Sequence, residues 1–143
     1  AWYEDAATTI YYLESREDID ASKVAYAGFS WGAYQSGIPL AIESRFTTAV
    51  LISGGAPYWD PPHPMFDPVN YMPRITVPEL MINGRHDHLF TYENSQLRML
   101  ELLGTPDEHK KHLVFEEGHF DFPRNTVARE VSDWLDRYMG AVR

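Results

Sequence analysis

The sequence predicts an α/β chain, with a parallel sheet of about four strands flanked by helices. Short apolar runs recur at 24–27, 48–52, 79–83 and 112–115, each closed by glycine or a polar turn. Segments of helical period stand before, between and after them. The runs are apolar almost throughout instead of alternating with polar residues. That suits strands buried on both faces, the condition of a parallel sheet.

Residues 4–15 place Ala6, Ala7, Ile10, Tyr11 and Leu13 on one broad face, as an amphipathic helix requires. Val24-Ala25-Tyr26-Ala27, ending at Gly28, is the first strand. Residues 31–44 have helical period, with Gly37 and Pro39 placed to weaken or kink the helix. Thr48–Ile52 is the second strand, stopped by Gly54 and Gly55. Pro57, Pro61, Pro62, Pro64, Pro68 and Pro73 exclude a regular element from 56–76, which reads as an ordered loop or short lid near the active site. Glu79–Asn83 is the third strand. Residues 91–103 form a helix with Leu97, Leu100 and Leu103 inward and Gly104 as its stop. His112–Phe115 is the fourth strand. The last helix, 126–139, carries Val127, Val131, Trp134, Leu135, Tyr138 and Met139 at helical spacing, with Asn125 as its N-cap.

The 143 residues have the length of one domain, and we expect a single domain over 1–143. A formal net charge of -9 argues against nucleic acid or an anionic membrane as partner, because both demand clustered lysine and arginine. The absence of cysteine excludes disulfides, thiolate catalysis and cysteine-bound metals. The opening Ala-Trp-Tyr-Glu-Asp has neither a basic nor an apolar leader character, which favours a cytoplasmic location.

The chemistry concentrates at strand ends, where ligands of open α/β sheets sit. Gly28-Phe29-Ser30-Trp31-Gly32 is Gly-x-Ser-x-Gly. Such a match arises by chance in roughly one chain in twenty of this length. Its position between an expected strand and an expected helix gives it meaning. The glycines allow a sharp turn in which a larger residue would clash. The turn lifts the Ser30 hydroxyl from the sheet and sets the Trp31 N–H at a helix start, aimed at a developing oxyanion. A serine needs a base, and the base an orienting carboxylate. Asp87 follows the third strand in Asn83-Gly84-Arg85-His86-Asp87-His88, and His119 follows the fourth in Gly118-His119-Phe120. An ordinary turn aspartate would also suit Asp87, but the chain order nucleophile, acid, base favours the triad. Among the other histidines, His109 and His112 lie before or within the fourth strand, His63 lies in the proline loop, and His86 and His88 flank the acid.

His86 and His88 supply too few fixed ligands for a metal, so neither a metal nor any other cofactor is expected. Phe29, Tyr58, Trp59, His88 and Phe120 are the expected substrate lining. Tyr58, Trp59, Phe66 and Tyr71 of the proline loop could equally cap the sheet end as a small satellite core.

At these motifs the sequence resembles the C-terminal half of α/β-hydrolases of the esterase and prolyl-oligopeptidase-like kind. The lead-in Ile19–Gly32, the acid turn Asn83–Asp87 and the base turn Gly118-His119 carry the resemblance. It implies a truncated α/β-hydrolase fold, with Ser30, Asp87 and His119 as triad and the Trp31 amide as one oxyanion donor. It also implies that the earlier strands are missing, and with them the loop that gives the second donor. The expected function is a promiscuous serine esterase for small, short-chain acyl esters, working through an acyl-enzyme. A prolyl-oligopeptidase-like peptidase and a non-catalytic binding or oligomerisation module are the alternatives. The strand at 24–28 would be left as a bare apolar edge. A homo-oligomer is therefore expected, in which a second copy covers that edge.

Overall fold

A computed structural model describes residues 2–57 and 63–141, apart from the Trp2 side chain. The elements follow in the order α1 (Trp2–Glu14), β1 (Val24–Phe29), α2 (Trp31–Gln35), α3 (Gly37–Ile42), β2 (Phe46–Ile52), β3 (Glu79–Gly84), α4 (Leu97–Leu102), β4 (Lys110–Phe115) and α5 (Arg124–Met139). The four strands form one parallel sheet in the order β1-β2-β3-β4.

Alternation along each strand divides the core into two layers. Ala49, Leu51 and Met81 face α1, α3 and α4, packing with Ile10, Leu40, Met99 and Leu103. Val50, Leu80 and Ile82 face α5 and pack on Trp134, with Val127, Val131, Leu135 and Tyr138 around it. The Trp134 indole N–H donates to Thr48 Oγ1 at 2.8 Å, which satisfies the polar atom that this large ring buries. All six residues of β3 are buried. β1 is an edge strand, and Ala27 and Phe29 remain exposed on its α5 side.

The expected kink is a full break, and two other expectations need correction. The helix at 31–44 is interrupted at Ser36, giving α2 and α3. Pro39 lacks an N–H and its ring would crowd the carbonyl four residues back, so a continuous helix is excluded. A Cβ on Gly37 would also lie 2.4 Å from the Pro68 carbonyl oxygen, so the proline loop presses on the break. The helix near 91–103 opens with a π-helical turn, Tyr92–Gln96, before α4. That wider turn changes the phase. The buried positions are Ser95, Gln96, Met99 and Leu103, whereas Leu97 and Leu100 are only partly buried. Finally, α5 starts two residues early, at Arg124. Its N-cap is Pro123 and Asn125 lies inside the first turn, because the fixed ring of Pro123 already sets the entry and Val127 N–H bonds its carbonyl.

The described part of the proline loop holds two 3-10 turns, Pro68–Asn70 and Met72–Arg74. Asp67 caps the first by accepting from the Val69 N–H at 3.0 Å. Burial and the facing Asp67 carboxylate push the Tyr34 hydroxyl up to about 12, which ties this loop to α2.

Candidate active site

β1 delivers its chain to a residue with strained backbone. Ser30 has φ 52 and ψ -109, a left-handed value that a non-glycine residue adopts only where its surroundings enforce it. Its N–H is held by the Ile52 carbonyl at 2.7 Å, and its own carbonyl accepts from Tyr34 N–H at 3.1 Å to begin α2. Gly28 makes the turn possible, since a Cβ there would lie 2.7 Å from the Gly32 carbonyl carbon and oxygen. Gly32 differs from the expectation that both glycines avoid a clash, because a Cβ at Gly32 meets nothing within 4 Å. Gly28→Ala should therefore cost about 2 kcal/mol or more. Gly32→Ala should be neutral or stabilise by up to about 1 kcal/mol through helix propensity. Urea unfolding of the two variants checks the contrast, and equal losses would refute it.

Asp87 and His119 rise from neighbouring strands whose turns touch. A Cβ at Gly84 would lie 2.0 Å from the Gly118 carbonyl oxygen and 2.4 Å from that of Glu117. Arg85 N–H and His86 N–H donate to the Phe115 and Glu117 carbonyls at 2.8 and 2.9 Å, extending the β3–β4 pairing past the sheet. Asp87 Oδ1 accepts from the N–H groups of Leu89 (2.8 Å) and Phe90 (3.0 Å). Its Oδ2 accepts from His119 Nδ1–H at 2.7 Å. His119 Nε2 then lies 2.7 Å from Ser30 Oγ, placed to accept the hydroxyl proton. Asp87 and His119 are buried, while Ser30 is half-buried and open to solvent on one side. Phe90 stacks beside the imidazole at 6.1 Å, and the Phe120 ring meets it edge-on at 4.7 Å.

Three supporting residues carried no separate role in the sequence reading. Ser53, at φ 53, bonds the Ile82 carbonyl through its N–H and donates its hydroxyl to the His119 carbonyl at 2.8 Å. Gln96 is fully buried, and its Nε2 donates to the Gly84 and Phe90 carbonyls at 2.7 Å each, clamping both sides of the acid turn. Asn83 donates to the Gly54 carbonyl at 2.8 Å and accepts from His112 Nε2–H at 3.1 Å. Burial, with Arg85 adding, pushes His112 down to about 4, so it stays a neutral donor here. A polar residue interrupting the leucine pattern was the one local signal for Gln96. Ser53 and the Gly84–Gly118 contact have none, because their partners lie far away in sequence.

Of the expected lining, Phe29 and Phe120 stand beside the imidazole and contact each other at 5.8 Å. His88 is solvent-exposed on the acid turn and lies outside the concavity that those two rings line. Tyr58 and Trp59 fall outside the described residues. Phe66 is exposed, so it does not cap the sheet as a satellite core. As first residue of α2, Trp31 has no helical carbonyl for its N–H. No group of three metal-ligating side chains occurs among the described residues.

This architecture is a four-stranded portion of the α/β-hydrolase fold. No protein-family model matches the sequence, and no curated protein matches it. Solved structures do. A cold-adapted esterase from an Arctic intertidal metagenomic library superposes with a TM-score of 0.76 at 21% identity, over 94% of this chain and 56% of that one. Dipeptidyl peptidase 4 of Porphyromonas gingivalis gives 0.79 at 12% identity, over 95% and 22%. A puromycin-hydrolyzing peptidase of Mycobacterium tuberculosis gives 0.78 at 19%, over 98% and 25%. The chain thus spans little more than half of the esterase and about a quarter of each peptidase. At these identities the likeness establishes the fold.

Proposed function

We propose that the chain is a serine hydrolase acting on small, activated carboxylic esters, with Ser30 as nucleophile, His119 as base and then acid, and Asp87 as the orienting carboxylate. The observation that carries the reading is the unbroken relay, in which one buried imidazole bonds Ser30 Oγ and Asp87 Oδ2, each at 2.7 Å. Ser30 Oγ attacks the carbonyl carbon while its proton passes to His119 Nε2. The Trp31 N–H receives the oxyanion. The proton then goes to the leaving alkoxide and the acyl group stays on Ser30; water, giving its proton to His119, attacks the acyl carbonyl, and the bond to Ser30 Oγ breaks as His119 returns the proton to it, releasing the acid.

Esters are favoured over amides because a poorer leaving group needs more transition-state stabilisation, and this half-open site offers one identified backbone donor. Esterases among the structural neighbours support this reading, and the peptidases among them support acyl transfer to water more generally. Wild type should be labelled stoichiometrically by a fluorophosphonate and should turn over p-nitrophenyl acetate and butyrate. Ser30→Ala should lose both. Unlabelled wild type, or equal rates in wild type, Ser30→Ala and His119→Ala, would sink the proposal and leave a binding module. Faster turnover of a peptide anilide than of the esters would make the chain a peptidase.

We also propose that a second copy covers the free edge of β1, the outermost strand of the sheet. Sedimentation should then find a dimer or higher species. A stable folded monomer at micromolar concentration rejects it.

A further inference from the structure

We infer that the concavity beside Phe29 and Phe120 receives the leaving alcohol of the ester, and that it selects apolar, aryl-bearing alcohols. The inference rests on the hydrolase reading above and adds which half of the substrate is recognised, and where.

The argument starts from the proton. In acylation the bond from carbonyl carbon to alcohol oxygen breaks, and that oxygen takes the proton that Ser30 gave to His119 Nε2. The leaving oxygen must therefore lie within hydrogen-bond reach of Nε2. Whatever it carries departs along a flank of the imidazole. One flank is occupied, since Phe90 is buried and stacks on the ring at 6.1 Å. Toward solvent stand Phe120, edge-on at 4.7 Å, and Phe29 at 5.8 Å, both about half exposed. These same two side chains form the near wall of a concavity of ≈ 550 Å³.

The far wall is Val127 and Val131 of α5, with Ile52 and Phe122 between. The lining is thus aromatic and branched aliphatic, which suits a planar apolar group over a hydrated one. Asp121 and Arg124 also line it, with opposite charges. Neither sign dominates, so the wall does not select an anionic or a cationic substrate. The acyl group lies on the other side of the carbonyl and leaves this wall untouched. The concavity should therefore act on acylation alone.

Benzyl acetate and 2-methoxyethyl acetate test this directly. Their alcohols are of similar acidity, and both esters leave the same acetyl group on Ser30. Wild type should favour the benzyl ester in kcat/KM by about tenfold. Phe120→Ala, which removes the near wall at an exposed position, should reduce that preference at least fivefold. Ala128→Trp should do likewise by filling the concavity from the exposed surface of α5. The rate of deacylation of the common acetyl-enzyme, read in single-turnover experiments, should stay within about twofold in Ala128→Trp, which lies on α5. Equal kcat/KM for the two esters in wild type, or an unchanged preference in both variants, overturns the inference alone. A parallel change in deacylation in Ala128→Trp assigns the concavity to the acyl half and overturns it too. Failure of wild type to hydrolyse either ester overturns the hydrolase reading, and this inference with it.

Discussion

Changing Asp87 to asparagine is expected to lower kcat on an activated ester about ten-thousand-fold while leaving the fold intact. The reason lies in what each carboxylate oxygen does. Oδ1 accepts from two backbone donors, Leu89 N–H and Phe90 N–H. An asparagine must keep its oxygen there, since an NH2 group facing two N–H groups would bury donors against donors. Its NH2 therefore takes the Oδ2 position, 2.7 Å from His119 Nδ1. Nδ1 must then accept, so the ring proton moves to Nε2. A protonated Nε2 faces Ser30 Oγ and has no lone pair with which to take the hydroxyl proton. The base is present, correctly placed, and in the wrong tautomer. Fluorophosphonate labelling should slow in step with ester hydrolysis, while urea unfolding shifts little because the substitution is isosteric. A loss of tenfold or less would show that Asp87 does not set the tautomer, and the proposed relay would fail.

The same geometry explains why the acid turn needs so many supports. Tautomer control works only if Asp87 cannot rotate to follow the ring. Its turn is held from below by Gln96, which bonds the carbonyls on either side of it, and from the side by the backbone contact of Gly84 with Gly118. Ser53 restrains the His119 backbone from the end of β2. Three strand ends are thereby linked above the sheet, which keeps the imidazole between its two partners.

Much of this was legible in the sequence because it is local. The apolar runs marked the strands, and their order placed Ser30, Asp87 and His119 past the ends of the first, third and fourth. The Gly-x-Ser-x-Gly spacing marked the strained turn, since Gly28 must admit the Gly32 backbone within a few ångströms. What local pattern could not carry was phase and long-range contact. The π-helical turn at Tyr92–Gln96 rotates the following helix, so Met99 takes the buried position that leucine spacing assigned to Leu97 and Leu100. His88 sits one residue from the acid yet points to solvent, because Asp87 alone turns inward. Ser53 acts on a residue 66 positions away, a separation at which sequence pattern carries no signal, and the break in the leucine pattern at Gln96 did not disclose its partner 12 positions back.

Glu79 offers the largest effect on stability. It opens β3, directly beside Ala49 of β2 and Lys110 of β4, and is 1% exposed. Neither carboxylate oxygen has a hydrogen-bond partner. Lys110 lies on the adjacent strand, but its ammonium group is directed to Asp107 Oδ1 at 3.0 Å and to the carbonyls of Leu100 and Leu103. Burial therefore raises the Glu79 carboxyl from an ordinary 4.5 to about 8, and the Lys110 charge offsets only part of this. The sign follows from proton counting. Between about pH 4.5 and 8 the folded state keeps a proton that the unfolded state has released, so stability falls as pH rises through that window and levels off above it. The loss is about 5 kcal/mol. Glu79→Met keeps the volume, removes the ionisable group and leaves Lys110 with its other partners. Its gain over wild type should be small near pH 4.5 and reach about 5 kcal/mol near pH 8.5, as measured by urea unfolding at the two values. The other titrating groups are common to both proteins and cancel in that difference. A gain that does not grow with pH would mean that Glu79 ionises freely in the folded chain, and its isolation in the core would have to be abandoned.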